Sequence, residues 1–244
     1  MLAGMLPPET VADPASPALV WSHDLAAAGA AVRFPRHGSV DVYGVVLKGS
    51  VTVRGDEGGA PLAAQRWTAF RAPGGGATVA TAEAGARVML AVVSGGEPLR
   101  DALATPAAKA AWKARPAPLA VVDLTASMDL SWGGGAMHAR LGFQGSGQRA
   151  SLGLLMASAD APVARHRHDD AWEILVALRA SGSAARAASG GALETSRLED
   201  GGVVAMPRGI DHAWTPDGKR PLVALQLYVP PGPEQRFKKL AGVE

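Results

Sequence analysis

The segment "ARHRHDDAWEILVAL" (Ala164–Leu178) decides how the chain folds. Two histidines, His166 and His168, stand two apart, Glu173 follows five residues after the second, and the run then turns apolar. In an extended strand residues two apart face the same side, so both imidazoles aim at one point. Asp169 and Asp170 suit a chain reversal. Glu173 then opens a second strand and faces that point from alongside. A fourth group comes from farther along, in "GGVVAMPRGIDHAW" (Gly201–Trp214). There Gly201 and Gly202 lead into an apolar strand, Pro207 and Gly209 make a tight turn, and His212 follows.

Neutral imidazoles and a carboxylate form a borderline-hard donor set for one divalent transition metal: Fe, Mn, Ni, Zn or Cu, among which the sequence does not choose. Ligands carried by strands leave open coordination positions, the feature that separates a catalytic site from a structural one. The histidine pair alone is weak evidence, and the proline-glycine turn alone is an ordinary β-turn. Their order and spacing together carry the reading.

The rest of the chain fits an all-β frame. Its 244 residues are 48% hydrophobic and 19% charged, enough for a sizeable core. Scattered glycines and prolines bound short apolar or alternating runs such as "VYGVVLKGSVTVRG" (Val42–Gly55), "ARVMLAVVSGG" (Ala86–Gly96) and "PLVALQLYVPPG" (Pro221–Gly232). One segment differs. "EPLRDALATPAAKAAWKARP" (Glu97–Pro116) is rich in Ala, Leu, Lys and Arg and reads as a helical connector, divided at Pro106 and closed by Pro116. The flanking halves resemble each other. With "VYGVVLKGSVTV" placed under "EILVALRASGSA", Leu47 falls under Leu178 and Gly49 under Ala180, which predicts a duplicated β-unit.

"HRHDDAWE" resembles the first cupin motif, HxH(x)4E, and the segment from Gly201 to His212 resembles the second, G(x)5PxGxxH. The resemblance covers roughly residues 150–230. Ala180 stands where the first motif ends in glycine, with Gly182 nearby, and Pro216 stands near the usual place of an asparagine after the second. Neither departure removes a ligand. The resemblance implies two double-stranded β-helix (jelly-roll) barrels: a degenerate cupin barrel at 1–96, the connector at 97–117, and a metal-binding barrel at 118–244. His166, His168, Glu173 and His212 would hold the metal inside the second. The same overlay puts His37 under His168, but Pro35 under His166, Val42 under Glu173 and Ala77 under His212. One histidine cannot hold the metal, so His37 reads as a surface or hydrogen-bonded residue, as do His23 and His138. Asp41, one residue from Val42, faces the wrong side of its strand.

Around the metal the expected lining is Trp172, Met206, Trp214, Leu225 and Tyr228, a mostly apolar cavity of the kind that takes a small molecule. For Met206 and Leu225 ordinary core packing is the stronger reading. Arg208, in the turn at the barrel mouth, is positioned to meet an anionic substrate. Arg165 and Arg167 face away from the histidines and are expected in solvent or paired with Asp169 or Asp170. "APGGGA" and "WGGGAMH" lack the lysine and helix of a phosphate-binding loop.

The sequence therefore describes a metal-binding protein with a small-molecule ligand or substrate. The first reading is a metal-dependent enzyme of oxygenase or isomerase type, in which the metal acts as Lewis acid or, if iron, brings O2 and substrate together. The alternatives are a non-catalytic binding or sensing protein and a scaffold with a residual site. No second acid or base near the metal can be named, and fold alone does not give function. With a formal net charge of +2, no basic stripe and 5% aromatic residues, nucleic acid is a poor partner. The absence of cysteine excludes disulfides and thiolate sites. No apolar run approaches the roughly 20 residues of a membrane span, and "MLAGMLPPETVADP" is not a complete signal peptide. A cytoplasmic monomer or homodimer is the default expectation, although a trimmed export signal would look the same.

Overall fold

The longest apolar runs become the central strands. "DVYGVVLK" forms β3 (Asp41–Lys48) and "ARVMLAVV" forms β8 (Ala86–Val93), and both are buried over almost their whole length. Such runs have neighbours on both edges and side chains covered on both faces. "SVTVRG" forms β4 (Ser50–Gly55), where burial alternates residue by residue, as in a strand with one face in the core.

The computed structural model describes residues 13–104, 118–145, 147–187 and 191–243. It divides into two units, up to Thr125 and from Ala126. The remaining strands of the first are β1 (Ala18–Leu25), β2 (Ala31–Phe34), β5 (Leu62–Gln65), β6 (Thr68–Ala72), β7 (Ala77–Ala80) and β9 (Ala120–Asp123). They form two antiparallel sheets, β1-β8-β3-β6-β9 and β2-β7-β4-β5. The second unit begins with the hairpin β10 (Asp129–Trp132) and β11 (Met137–Phe143). Eight strands follow: β12 (Ser151–Ala157), β13 (Val163–His166), β14 (Trp172–Arg179), β15 (Ser181–Ala187), β16 (Glu194–Glu199), β17 (Val203–Met206), β18 (Asp211–Pro216) and β19 (Leu222–Val229). Their sheets run β10-β11-β12-β19-β14-β17 and β13-β18-β15-β16.

Strands β1–β8 and β12–β19 share one order of neighbours. The first sheet of each contains β1-β8-β3-β6 or β12-β19-β14-β17, and the second β2-β7-β4-β5 or β13-β18-β15-β16. The ladders also break at matching places. The β3–β8 register shifts between Val46 and Lys48, and the β14–β19 register between Ala177 and Arg179. The skipped residues are Leu47 and Leu178, the pair that coincides when the two segments are overlaid. A bulge bends a strand and aims its side chains anew. Each unit has its own hydrophobic cluster, around Phe34, Phe70 and Leu90 in the first and around Leu155, Leu175 and Trp214 in the second.

Two expectations are revised. The boundary at 118 falls too early, because β9 is hydrogen-bonded to β6 and extends a sheet of the first unit. The connector shows a helix α1 only at Leu99–Ala104, and residues 105–117, with Pro106 and Pro116, lie outside the described residues. No helix among the described residues is long and apolar enough to cross a membrane.

Candidate metal centre

His166 is the last residue of β13, Glu173 the second of β14, and His212 the second of β18. β13 and β18 pair with His166 opposite His212. His168 departs from expectation: it lies beyond the end of β13, in the loop before β14. The strand argument therefore holds for His166 but not for His168. Its place is set instead by the turn after β17, where the Gly209 amide donates to the His168 carbonyl at 2.9 Å. That turn closes through Ile210 N to Pro207 O at 3.2 Å and needs Gly209 at φ 70°.

One donor atom from each of His166, His168, Glu173 and His212 lies within 4.8 Å of the others, and no other such group occurs among the described residues. Glu173 is 2% exposed. Its Oε2 lies 2.9 Å from both His168 Nε2 and His212 Nε2 and 4.0 Å from His166 Nε2. Its Oε1 accepts from Gln226 Nε2 on β19. Burial alone would raise the Glu173 carboxyl, but the His168 and His212 hydrogen bonds and charges outweigh it and hold the group well below the usual carboxylate range. For His212 burial acts downward, and the Glu173 hydrogen bond and charge reverse it, so its pKa is raised. Burial, with the nearby Arg236 and His212 charges, pushes His166 down to about 4.

The donor set fits a metal. His166 Nδ1 lies 2.8 Å from Ala164 O and His212 Nδ1 3.0 Å from Ile210 O. A carbonyl only accepts, so each Nδ1 carries the proton and each Nε2 is the inward lone pair. His166 Nε2 is buried without any hydrogen-bond partner, which is costly for a polar atom unless something else occupies its lone pair. His212 Nε2 and Glu173 Oε2 would face each other as two lone pairs at 2.9 Å. Only a cation reconciles them, a proton or a metal. A metal with bonds of about 2.1 Å to both, at a right angle, would span about 3.0 Å.

A cavity of about 340 Å³ opens from this group. Of the residues expected to line it, Met206 and Trp214 do, and Met206 also belongs to the core cluster. Trp172 and Leu225 are buried core residues outside the lining. Trp172 neighbours Glu173 and, in a strand, faces the other way. Tyr228 is also outside the lining but packs edge-on against His168, with ring centroids 5.0 Å apart. Arg208 is exposed and is not among the residues that line the cavity. Arg167 pairs with Asp169 as expected, at 2.9 Å. Arg165 does not: its Nε donates to Asp211 at 3.0 Å, across the β13–β18 ladder.

Three contributors were missed by sequence reading. Gln226 sits inside the apolar run of β19 and belongs to no motif. Arg236 and Phe237 open a short helix α2 (Arg236–Leu240) that the strand pattern did not announce. Arg236 Nη1 lies 3.4 Å from His168 Nε2 and its Nη2 donates to the Tyr228 hydroxyl at 3.2 Å.

In the first unit the matching positions are apolar. Phe34 lies opposite Ala77 as His166 lies opposite His212. Val42 lies opposite Val92 as Glu173 lies opposite Tyr228, and Gly44 opposite Leu90 as Leu175 opposite Gln226. Ladder register thus places Phe34, not Pro35, at the His166 position, while Val42 and Ala77 stand as the overlay had them. Phe34, Val42, Ala77, Leu90 and Val92 all belong to one buried cluster. Asp41, facing away, binds Arg71 through Nε at 3.0 Å and Nη2 at 2.8 Å. His37 Nδ1 accepts from the Ser39 amide at 3.4 Å.

The fold is similar to that of oxalate decarboxylase. One such structure, of the Bacillus subtilis enzyme and concerned with its Mn(II) centres, superposes with a TM-score of 0.68 at 15% identity, over 88% of this chain and 69% of that one. A second, concerned with substrate binding and a switch of reaction specificity, gives 0.69 at 14% identity, over 89% and 70%. A third, a single-site mutant of the B. subtilis enzyme, gives 0.68 at 16% identity, over 88% and 69%. No family model matches the sequence. No curated protein matches it either. The likeness is one of fold.

Proposed function

We propose that the chain is a two-barrel cupin with a degenerate first barrel, and that its second barrel is a metal-dependent enzyme acting on a small organic molecule. One observation carries this reading: four clustered donor atoms, one of them a buried Nε2 without a hydrogen-bond partner, with three of the four residues lining a cavity large enough for a ligand. The neighbours' Mn(II) centres support a metal of that class without choosing it. His166, His168, Glu173 and His212 would hold the ion. When bound it would supply Lewis-acid polarisation of a substrate oxygen. Glu173 would balance the charge and is held by Gln226.

The competing reading is a binding or sensing protein. It is favoured by the scarcity of proton-transfer groups: the titratable side chains lining the cavity are Arg165, Arg236, His166, Glu173 and His212. Elemental analysis of protein purified without an affinity metal column tests the metal, and a screen of small acids and phenols tests turnover. Metal with turnover supports the enzyme, metal with tight binding but no turnover supports the sensor, and no metal after incubation with Mn, Fe, Ni, Zn or Cu sinks both.

A further inference from the structure

The cavity wall is chemically lopsided. Its polar side chains are His166, Glu173, His212, Gln226, Arg236 and Arg165, the last already paired with Asp211. The remainder is largely hydrocarbon, with Met137, Leu155, Leu175, Leu198, Trp214 and Phe237 prominent. At about 340 Å³ the space equals about eleven waters, taking roughly 30 Å³ for each. A two-carbon diacid has no hydrocarbon with which to meet such a wall. Leu240, 52% exposed and also in the lining, lies on the same helix as Arg236.

Arg236 is the unusual member. It is half-buried, its Nε is buried without a hydrogen-bond partner, and its other contacts are the neutral Tyr228 hydroxyl, His168 Nε2 and the face of the Phe237 ring, 5.2 Å from its centroid. No carboxylate of the described residues pairs with it. A guanidinium drawn partly out of water is stabilised by an anion held in its planar fork. The segment that carries it is fixed. Glu234, 1% exposed, accepts from Ser151 Oγ at 3.0 Å and from the Gly232 amide at 2.6 Å, tying the chain before α2 to β12. Phe237 stacks on Trp132 with ring centroids 5.2 Å apart and planes 20° apart, tying α2 to β10. Arg236 is thus held beside the donor group.

We infer that the ligand of this cavity is a monocarboxylic acid with a bulky apolar or aromatic body, its carboxylate held by Arg236 beside the donor group and its body against the hydrocarbon wall. This deepens the proposed function and rests on it. Apolar contact supplies affinity roughly in proportion to buried area, and the charged fork supplies orientation and selection for an anion.

The test uses the full chain, loaded with Mn(II) and also metal-free, titrated with 3-phenylpropionate, 3-phenylpropanamide and oxalate by calorimetry and tryptophan fluorescence. 3-Phenylpropionate is expected to bind at least about tenfold more tightly than the amide, the usual worth of hydrogen bonds to a charged group, and more tightly than oxalate. Arg236→Gln should cost the acid at least about tenfold, leave the amide little changed and leave metal content as in the wild type. Arg236→Lys should recover part of the acid's affinity. Oxalate binding as well as or better than 3-phenylpropionate, no binding of 3-phenylpropionate, or equal losses for acid and amide in Arg236→Gln would each overturn the inference. If the chain takes up no metal, the proposed function fails, while the acid–amide difference in metal-free protein still decides the role of Arg236.

Discussion

At the scale of single residues, the donor group is the place where removal and replacement have different consequences. His166→Ala, His168→Ala and His212→Ala each delete one donor from a set closed to within 4.8 Å, and each is expected to lose most of the bound metal on elemental analysis. Glu173→Gln should weaken binding as well, since it removes the anion that offsets the cation. His37→Ala should leave metal content unchanged, because the positions that would complete its site are Phe34, Val42 and Ala77. Loss of metal in His37→Ala with retention in His212→Ala would mean the wrong half had been chosen. Gln226→Leu puts into the second unit the residue that the first carries at the same register, Leu90. Glu173 Oε1 then loses its donor, and metal affinity should fall by about 10- to 100-fold, the usual effect of losing a partner behind a ligand; an unchanged affinity in a metal titration would deny Gln226 any part in orienting Glu173. The four donors were legible in the sequence because they lie in two short segments with fixed spacing. Gln226 and Arg236 were not, because what makes them relevant is strand register and a chain reversal after β19, neither of which is encoded within a few residues.

At the scale of elements, strand pairing decides which small changes are tolerated. A Cβ on Gly182 in β15 would lie 2.4 Å from Thr215 O and 2.7 Å from the Trp214 ring on β18. One contact is backbone and the other a buried indole at the cavity wall, so neither yields cheaply. Gly182→Ala is expected to destabilise the chain by about 1–3 kcal/mol, as overpacking does, and to lower Tm; a thermal melt equal to wild type would show that β15 and β18 can part. The same edge carries a pH-dependent tie. Asp217, just after β18, accepts from Ser181 Oγ at 2.7 Å and from Arg197 Nη2 at 3.0 Å. The Ser181 hydrogen bond, with further help from Lys219 N and Arg197, holds its carboxyl down to about 2, against an ordinary 3.8. A lowered carboxylate stabilises the fold above its unfolded pKa and loses that contribution as pH falls through the folded value. The Tm gap between wild type and Asp217→Asn should therefore be full above about pH 5 and close between 3.8 and about 2. A gap that stays constant over that range would show the tie is not electrostatic. The period-two burial of β4 and the long buried runs of β3, β8, β14 and β19 could be read directly from apolar spacing. His168 could not, since it lies where a strand has already ended and a glycine turn takes over.

At the scale of the whole molecule, two units with one strand order spend the same interior positions differently. Where the second holds Glu173 among imidazoles, the first holds Val42 among Phe34, Ala77, Leu90 and Val92. A carboxylate is tolerated at 2% exposure in the second unit because His168, His212 and Gln226 meet it. At Val42, 1% exposed, nothing would. Val42→Glu should therefore cost about 3–5 kcal/mol, the penalty of a buried charge without a partner, or leave the group protonated at a similar cost. The reverse change is milder: Glu173→Gln keeps the shape and the Gln226 contact, and should affect metal far more than folding. Chemical denaturation of the full chain with metal content measured in parallel separates the two. Val42→Glu is expected to bring on unfolding earlier while metal per chain, measured under native conditions, stays at the wild-type level, since its ligands belong to the other unit. If Val42→Glu instead left stability intact and added metal, the first unit would have retained a working donor set, and its apolar interior would not be a barrier to metal.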